Sequence, residues 1–394
     1  MSESLSLEET PQENEELTIE EEYKLWRKNC HYMYDFISET ALTWPSLSIQ
    51  WLPQSFQAPS SAEITQSLLL TTLTSGKDTD YLKIAGTQLP DSLTGKKSEE
   101  KVKSRLKVFK KYPQSTEINR ARYMPQNPNI IGTINASGQV FTYDVKSLAE
   151  PVINEYIHHK ESGYGISWNG KKEGEFATSS DDKTVAIWDI SSSKPLQTYE
   201  HKDIVNDVAF HNFDANLIGS VSDDKSLKIY DTRTQKTVNS EQVSAKGVNS
   251  LTFSTFSKNL VAVGGEDYNV SLFDLRNITR PLHSMVGHTS TITSLSWDPH
   301  HENIVASGSS DRRVILWDIS KIGEEQLQDE MEDGVSELFM MHGGHTGSIY
   351  DLSFNPDIPW TLASCSNDNI VHLWTVSKKV LESGNEEVDL KSLE

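Results

Sequence analysis

The chain has 394 residues, with 36 Lys plus Arg against 57 Asp plus Glu, a net charge of −21, and 36% hydrophobic content. Such a surface repels phosphate, so direct nucleic-acid binding is not expected, whereas cationic partners are attracted. There is no run of 18 apolar residues, so no membrane span is expected, and two cysteines, Cys30 and Cys365, make neither a disulfide framework nor a zinc pattern.

Residues 1–17 are acidic and are expected to form a disordered tail with no leader character. Thr18 followed by Glu21 is a capping box. Ile19, Tyr23, Trp26, Cys30, Met33 and Ile37 then recur at steps of three and four. That spacing predicts a helix over 18–38 docked by one stripe. Leu25, Tyr32 and Phe36 form a second apolar stripe, more than one docked face needs, which points to a partner groove. "LTWPSLSIQWL" (42–52) alternates as a strand. "KKSEEKVKSRLKVFKK" (96–111), the one basic run, mixes a loop with a strand.

From there the chain repeats. "NASGQVFTYDV" (135–145) is a weak copy, and "TSSDDKTVAIWDI" (178–190), "SVSDDKSLKIYDT" (220–232), "VGGEDYNVSLFDL" (263–275), "SGSSDRRVILWDI" (307–319) and "SCSNDNIVHLWTV" (364–376) are strong ones. Trp188, Tyr230, Phe273 and Trp317 are spaced 42, 43 and 44 residues apart. Trp374 follows 57 later, because "GEEQLQDEMEDG" (323–334) inserts six carboxylates and no cation. A degenerate unit, "KDTDYLKIAGTQL", ends near Leu89. Period-two alternation bounded by Gly, Asn, Asp and Ser turns, at about 43 residues per unit, is one propeller blade of four strands. Seven units close a ring without open sheet edges. Closure requires both chain ends in one sheet, and 42–52 is the expected closing strand. The predicted fold is therefore all-β, a seven-bladed propeller over 39–380 with an N-terminal helix on its side, an acidic insertion at 321–340 and a C-terminal tail at 381–394.

His288/Ser307/Asp311 and His345/Ser364/Asp368 carry the parts of a hydrolase triad. The set recurs as His201/Ser220/Asp224 and His159/Thr178/Asp182. An enzyme needs one activated site, whereas a repeated set satisfies buried polar groups blade after blade. No nucleophile elbow or P-loop accompanies it. A catalytic role, a metal and any other cofactor are not expected.

The Trp-Asp endings and Gly-His pairs resemble the WD-repeat family. "EEYKLWRKN…MYDF", "LTWPSL…QWLP", "NRARYMPQNP", "GYGISWN" and "SKIGEEQ…EDG…EL…HGGHT" are more specific. They resemble the histone-binding WD proteins, a group that holds retinoblastoma-binding, chromatin-assembly and type B histone acetyltransferase subunits, with the fungal acetyltransferase members nearest. The resemblance implies a nuclear and cytoplasmic subunit that binds histone H4, with H3, beside a separate catalytic subunit. It implies that the first H4 helix lies in a groove between the N-terminal helix and the acidic insertion. By position, Tyr32, Met33, Leu338 and Met340 would be apolar anchors, and Glu332, Asp333 and Glu337 a charged rim, with Met331, Gly334 and Val335 in the same loop. The family pattern has proline after "EDG", where this chain has Val335 and Ser336.

The resemblance also implies a basic peptide across the top face at Glu117, Asn119 and Tyr164. Ser162, Asn206 and Asn367 replace acids found in some relatives, so weaker top-face binding is expected. The unit beginning "SAKGVNSLTF" lacks the Gly-His pair and offers Val248 and Asn249 as a contact for the catalytic subunit. Two rivals remain: a histone-chaperone subunit of an assembly or deacetylase complex, and a generic WD scaffold.

Overall fold

The structure is a computed structural model that describes residues 17–54, 56, 66–90, 93, 105–147, 149–326 and 334–383. Seven four-stranded antiparallel sheets form the blades of a propeller, and helix α1 (Ile19–Met33) precedes them. Blade 1 holds Ile49–Leu52, Gln66–Leu70, Asp80–Thr87 and Lys107–Gln114, from the axis outward. Its outer strand is the strand expected in the basic run.

The recurring aromatics define how the blades pack. In the second and third strands of successive blades, Phe176 pairs with Trp188, Ile218 with Tyr230, Val261 with Phe273, Val305 with Trp317 and Leu362 with Trp374. Trp188, Trp317 and Trp374 have no exposed surface, so each fills the seam between neighbouring sheets.

The Asp of each repeat shapes the turn before the third strand. Lys183, Lys225, Arg312 and Asn369 adopt left-handed backbone, with φ of 69°, 70°, 76° and 64°. That conformation costs a side-chain-bearing residue about 1–2 kcal/mol. It is offset because Asp182, Asp224, Asp311 and Asp368 accept the backbone N–H two residues on, at 2.9–3.0 Å.

The ring closes differently from the expectation. α1 ends at Met33, and Tyr34 turns extended, with φ −128° and ψ 133°. Tyr34–Ala41 is then a strand on the outer edge of blade 7, with Ile37 opposite Trp374. The segment expected to close the ring supplies the innermost strand of blade 1 instead. The propeller thus begins at residue 34 rather than 39. The predicted helix overran because Phe36 and Ile37 continue the helical spacing by chance, although both face cores as strand residues. The tail expected at 1–17 falls outside the described residues except for Leu17. A short helix α2 (Lys378–Ser383) packs near α1 where the C-terminal tail was expected to start.

Candidate functional site

The four expected His/Ser/Asp sets all form. His288 Nδ1 lies 2.8 Å from Asp311, His288 Nε2 lies 2.7 Å from Ser307 Oγ, and the Trp317 indole donates to that same oxygen at 2.8 Å. His159, Thr178, Asp182 and Trp188 repeat the pattern, as do His201, Ser220, Asp224 and Tyr230. In the last copy His345 bonds Asp368 at 3.1 Å and Ser364 at 2.9 Å. The Asp311 carboxylate only accepts, so a neutral His288 is protonated on Nδ1 and its Nε2 accepts the Ser307 proton, while Ser307 Oγ takes the indole N–H. Ser307 and Ser364 are wholly buried, so no substrate carbonyl can reach either. Blade 5 lacks the histidine and substitutes a Ser244–Asp267 bond of 2.8 Å.

The His201 set makes stability depend on pH. Burial, then the nearby Lys228 charge, pushes His201 down to about 4 from its ordinary 6.5. A folded-state value below the unfolded one gives stability that is full above about 6.5 and lost as pH falls toward 4. At ~1.4 kcal/mol per unit, His201 accounts for about 3 kcal/mol over that window. Urea unfolding at stepped pH is expected to show the loss beginning below 6.5. A flat profile from pH 7 to pH 5 would refute it.

α1 sits against the side of blades 6 and 7. The capping box forms, with Glu21 Oε2 accepting the Thr18 N–H at 2.9 Å and Thr18 Oγ1 accepting from Glu21. Trp26 is the one helix residue fully turned inward; Tyr23, Cys30 and Met33 pack around it, and Ile19 stays exposed. The indole stacks on His372 at 5.6 Å between ring centres. It comes so close to the chain that a Cβ on Gly344 would lie 2.4 Å from the ring. Glu22 takes ion pairs from Arg312 at 2.8 Å and Arg313 at 3.1 Å, which clamps the helix start to a turn of blade 6.

Two hollows of about 350 Å³ each flank the outer strand of blade 6, Leu338–His342. One is apolar, walled by Leu17, Leu25, Trp26, Met33 and Met341, with Glu22, Asn29 and Arg313 at its edge. The other lies at the root of the acidic insertion, between Glu324, Glu325, Gly334, Val335 and Leu338. The root is held by Ser336 Oγ donating to the Lys321 carbonyl at 2.9 Å and Gln326 donating to the Gly334 carbonyl at 3.1 Å.

Met33 lines the apolar hollow, whereas Gly334, Val335 and Leu338 line the one at the root of the insertion. Tyr32 is 60% exposed at the helix end and lines neither. Met331, Glu332 and Asp333 lie outside the described residues. Met340 is corrected: it is 5% exposed and belongs to the core between blade 7 and α1. The register slips opposite Leu316/Trp317, so Leu338 and Met341 share a cluster and Met340 turns the other way. Glu337 is corrected too. It is 4% exposed and bonded to His283 Nε2 at 2.6 Å, so it anchors the loop root rather than forming a rim. Burial would raise its pKa, but the His283 and Ser336 hydrogen bonds, together with a backbone one, hold it below the usual range.

On the top face Asn119 donates to Ser162 Oγ at 3.0 Å and the Gly163 carbonyl at 2.8 Å, which sets it beside the exposed Tyr164. Glu117 is half-buried on the adjoining loop. Val248 is corrected: its side chain is 1% exposed, in the core of blade 5, and only Asn249 reaches the surface, where it bonds the Ile292 carbonyl at 3.2 Å. Sequence reasoning missed Met341, Gly344 and the Arg312/Arg313 clamp. The doubled glycine of "HGGHT" was the one visible signal, since only a residue without Cβ lets the indole in.

The sequence matches those of known proteins. Residues 21–91 match the H4-binding family model that describes the histone-binding protein RBBP4 and its counterpart in the CAF1 complex. Residues 193–231, 279–318 and 336–375 match the model described as "WD domain, G-beta repeat". Histone acetyltransferase type B subunit 2 of Debaryomyces hansenii is 48% identical over 386 residues, 93% of this chain and 93% of its own length. The Candida albicans protein of the same name is 46% identical, covering 97% of this chain and 99% of its own, and the Schizosaccharomyces pombe one is 42% identical with both chains fully covered. Identity of this degree over more than nine-tenths of the chain, on a seven-bladed propeller with its own N-terminal helix, places the protein in the histone acetyltransferase type B subunit 2 family of WD-repeat proteins.

Proposed function

We propose that this protein is the non-catalytic, histone-binding subunit of a type B histone acetyltransferase, holding histone H4, with H3, for a separate catalytic subunit. The observation that carries the reading is the apolar hollow between α1 and blade 6, with a second hollow across the same outer strand at the root of an insertion whose sequence holds six carboxylates. A basic amphipathic helix fits such a place: its apolar face enters the groove, and its Lys and Arg side chains are steered by the acidic loop. Tethering substrate next to an enzyme raises its effective concentration without any chemistry in the tether.

The test is calorimetric binding of an H4 peptide spanning the tail and first helix, at two salt concentrations. Wild type is expected to bind with marked salt sensitivity, and a Glu332→Lys/Asp333→Lys double variant to lose both most of the affinity and the salt dependence. Tight binding untouched by the double variant would move the site to the top face. No binding would leave the generic scaffold. Affinity capture from cells decides between an acetyltransferase and an assembly or deacetylase complex.

A further inference from the structure

Behind the groove wall, a buried polar chain runs inward from the Trp26 indole. The Trp26 indole donates to Tyr34 Oη at 3.0 Å, Tyr34 Oη lies 2.7 Å from His342 Nδ1, and His342 Nε2 lies 3.0 Å from His372 Nδ1. His372 Nε2 has no hydrogen-bond partner and stands 3.9 Å from Glu39. Glu39 in turn accepts from Tyr23 and Arg27 of α1, both at 2.9 Å. The loop therefore leaves the helix at Trp26 and returns to it at Tyr23 and Arg27.

One order of this chain gives the buried Tyr34 hydroxyl an acceptor. The Trp26 indole can only donate to Tyr34 Oη, so the hydroxyl proton has His342 Nδ1 as its partner. His342 must then carry its proton on Nε2 and give it to His372 Nδ1, which leaves His372 with Nε2–H aimed at Glu39. Only neutral imidazoles satisfy this order. A proton added to His342 Nδ1 would meet the Tyr34 hydroxyl and leave it without an acceptor.

One ring nitrogen from each of His342, His345 and His372 lies within 4.8 Å of the other two, and these three rings carry six nitrogens in all. Five of the six are committed to hydrogen bonds, and His345 is stacked on His372 at 4.0 Å, so the cluster is a relay rather than a converging ligand set.

We infer that α1 is a proton-sensitive latch: the Trp26–Tyr34–His342–His372 chain seats the helix only while both imidazoles are neutral, so acidification undocks α1 and dismantles the groove. The occupant would be released with it, an inference that rests on the groove reading above. Burial and the neighbouring cations work in the same direction and outweigh the Glu39 carboxylate, which favours a charged His372. Burial, then the charges of His345 and Arg313, holds His342 well below its ordinary value, and burial, then His345 and His342, does the same for His372. Facing the pair are Tyr23, Arg27 and Cys30 from α1, Glu39 from the closing strand, Arg313 from blade 6, and His345 with its Asp368 from blade 7. Undocking exposes both imidazoles to water, where they protonate near 6.5. The undocked form therefore binds more protons, and docking weakens as pH falls below that value.

Hydrogen exchange on the full-length protein, corrected for intrinsic exchange chemistry, reads the latch directly. In wild type the protection of residues 19–33 is expected to fall below pH 6.5 by more than tenfold per unit, approaching about a hundredfold when two protons are linked. His372→Asn keeps an acceptor in place of Nδ1 but cannot protonate, and is expected to cut the slope to about tenfold or less. Tyr34→Phe keeps the ring but breaks the chain, and is expected to lower protection already at pH 7.5. Nitrogen-15 spectra of labelled histidine should show both rings protonated on Nε2 at neutral pH. Protection of α1 that is flat from pH 7 to pH 5, a slope unchanged in His372→Asn, or either ring protonated on Nδ1 would overturn the latch. An H4 peptide titrated in parallel separates the two readings: if it fails to bind at pH 7.5 the groove reading falls, while the exchange series still decides the latch.

Discussion

Asp351→Ala is expected to destabilise the propeller by about 3–5 kcal/mol, the usual consequence of leaving one member of a buried ion pair alone. Asp351 is 2% exposed on the innermost strand of blade 7, Ile349–Phe354. It receives Arg122 from blade 2 through both terminal nitrogens, at 2.9 and 3.1 Å. It also accepts from Ser48 Oγ at 3.0 Å and the Ile49 N–H at 2.9 Å, at the entry to blade 1. One carboxylate thus joins the last blade to the first two, at the seam where the ring is closed. Burial alone would raise its pKa, but the Arg122 and Arg120 charges and the hydrogen bonds from Arg122 and Ile49 outweigh that and hold it below the ordinary range. A depressed carboxylate gives stability that is present above its unfolded value of about 3.9 and lost only as pH falls through the folded one. This acid loss is separate from that of the buried histidines, which begins higher. Urea unfolding at pH 7 measures the effect, with Arg276→Ala as control, because the Arg276–Asp274 pair lies on the surface and is expected to matter little. Equal midpoints for the two variants would show that the seam is held by packing alone.

Trp26→Ala is expected to abolish groove binding while leaving the blades folded. Truncating a buried tryptophan costs about 3–5 kcal/mol, and here the cost falls on the docking of α1 rather than on the ring. The indole is at once a groove wall, the stacking partner of His372 and the first donor of the chain to Tyr34. Loss of an anchor at the centre of an interface typically costs about 2 kcal/mol or more, so H4-peptide affinity is expected to drop at least thirtyfold. Gly344→Ala approaches the same point from the other side: its Cβ would sit 2.4 Å from the indole and 2.7 Å from the His372 ring, so Trp26 must move out. Calorimetry with both variants, beside circular dichroism for the β content, separates a lost groove from a lost fold. Full affinity in Trp26→Ala would place the histone site elsewhere.

Much of this was legible in one chain. The 42–44-residue spacing of Trp188, Tyr230, Phe273 and Trp317 disclosed the blades, because a blade that packs only on its neighbours repeats its core side chains at a fixed interval. The His/Ser/Asp sets disclosed themselves as structural by recurring. The capping box at Thr18 and Glu21 was visible because it is local, three residues across.

What the sequence left open turned on residues far apart in the chain. Nothing local distinguishes Tyr34–Ala41 from two more helical turns; pairing with Ile370–Val376, more than 300 residues on, makes it a strand. Met340 and Met341 face opposite sides by simple alternation, but the register slip between Leu316 and Trp317 puts Leu338 with Met341 rather than with Met340, and alternation by twos cannot detect a bulge imposed by the neighbouring strand. The chain from Trp26 through Tyr34, His342 and His372 joins four elements that meet only once the ring has closed. The sequence by itself determined the repeat, the turn chemistry and the strongly acidic surface, since each depends on near neighbours or on composition. The tertiary structure decided which strand closes the ring, which methionine faces the groove and how the helix is latched, because those depend on contacts made across hundreds of residues.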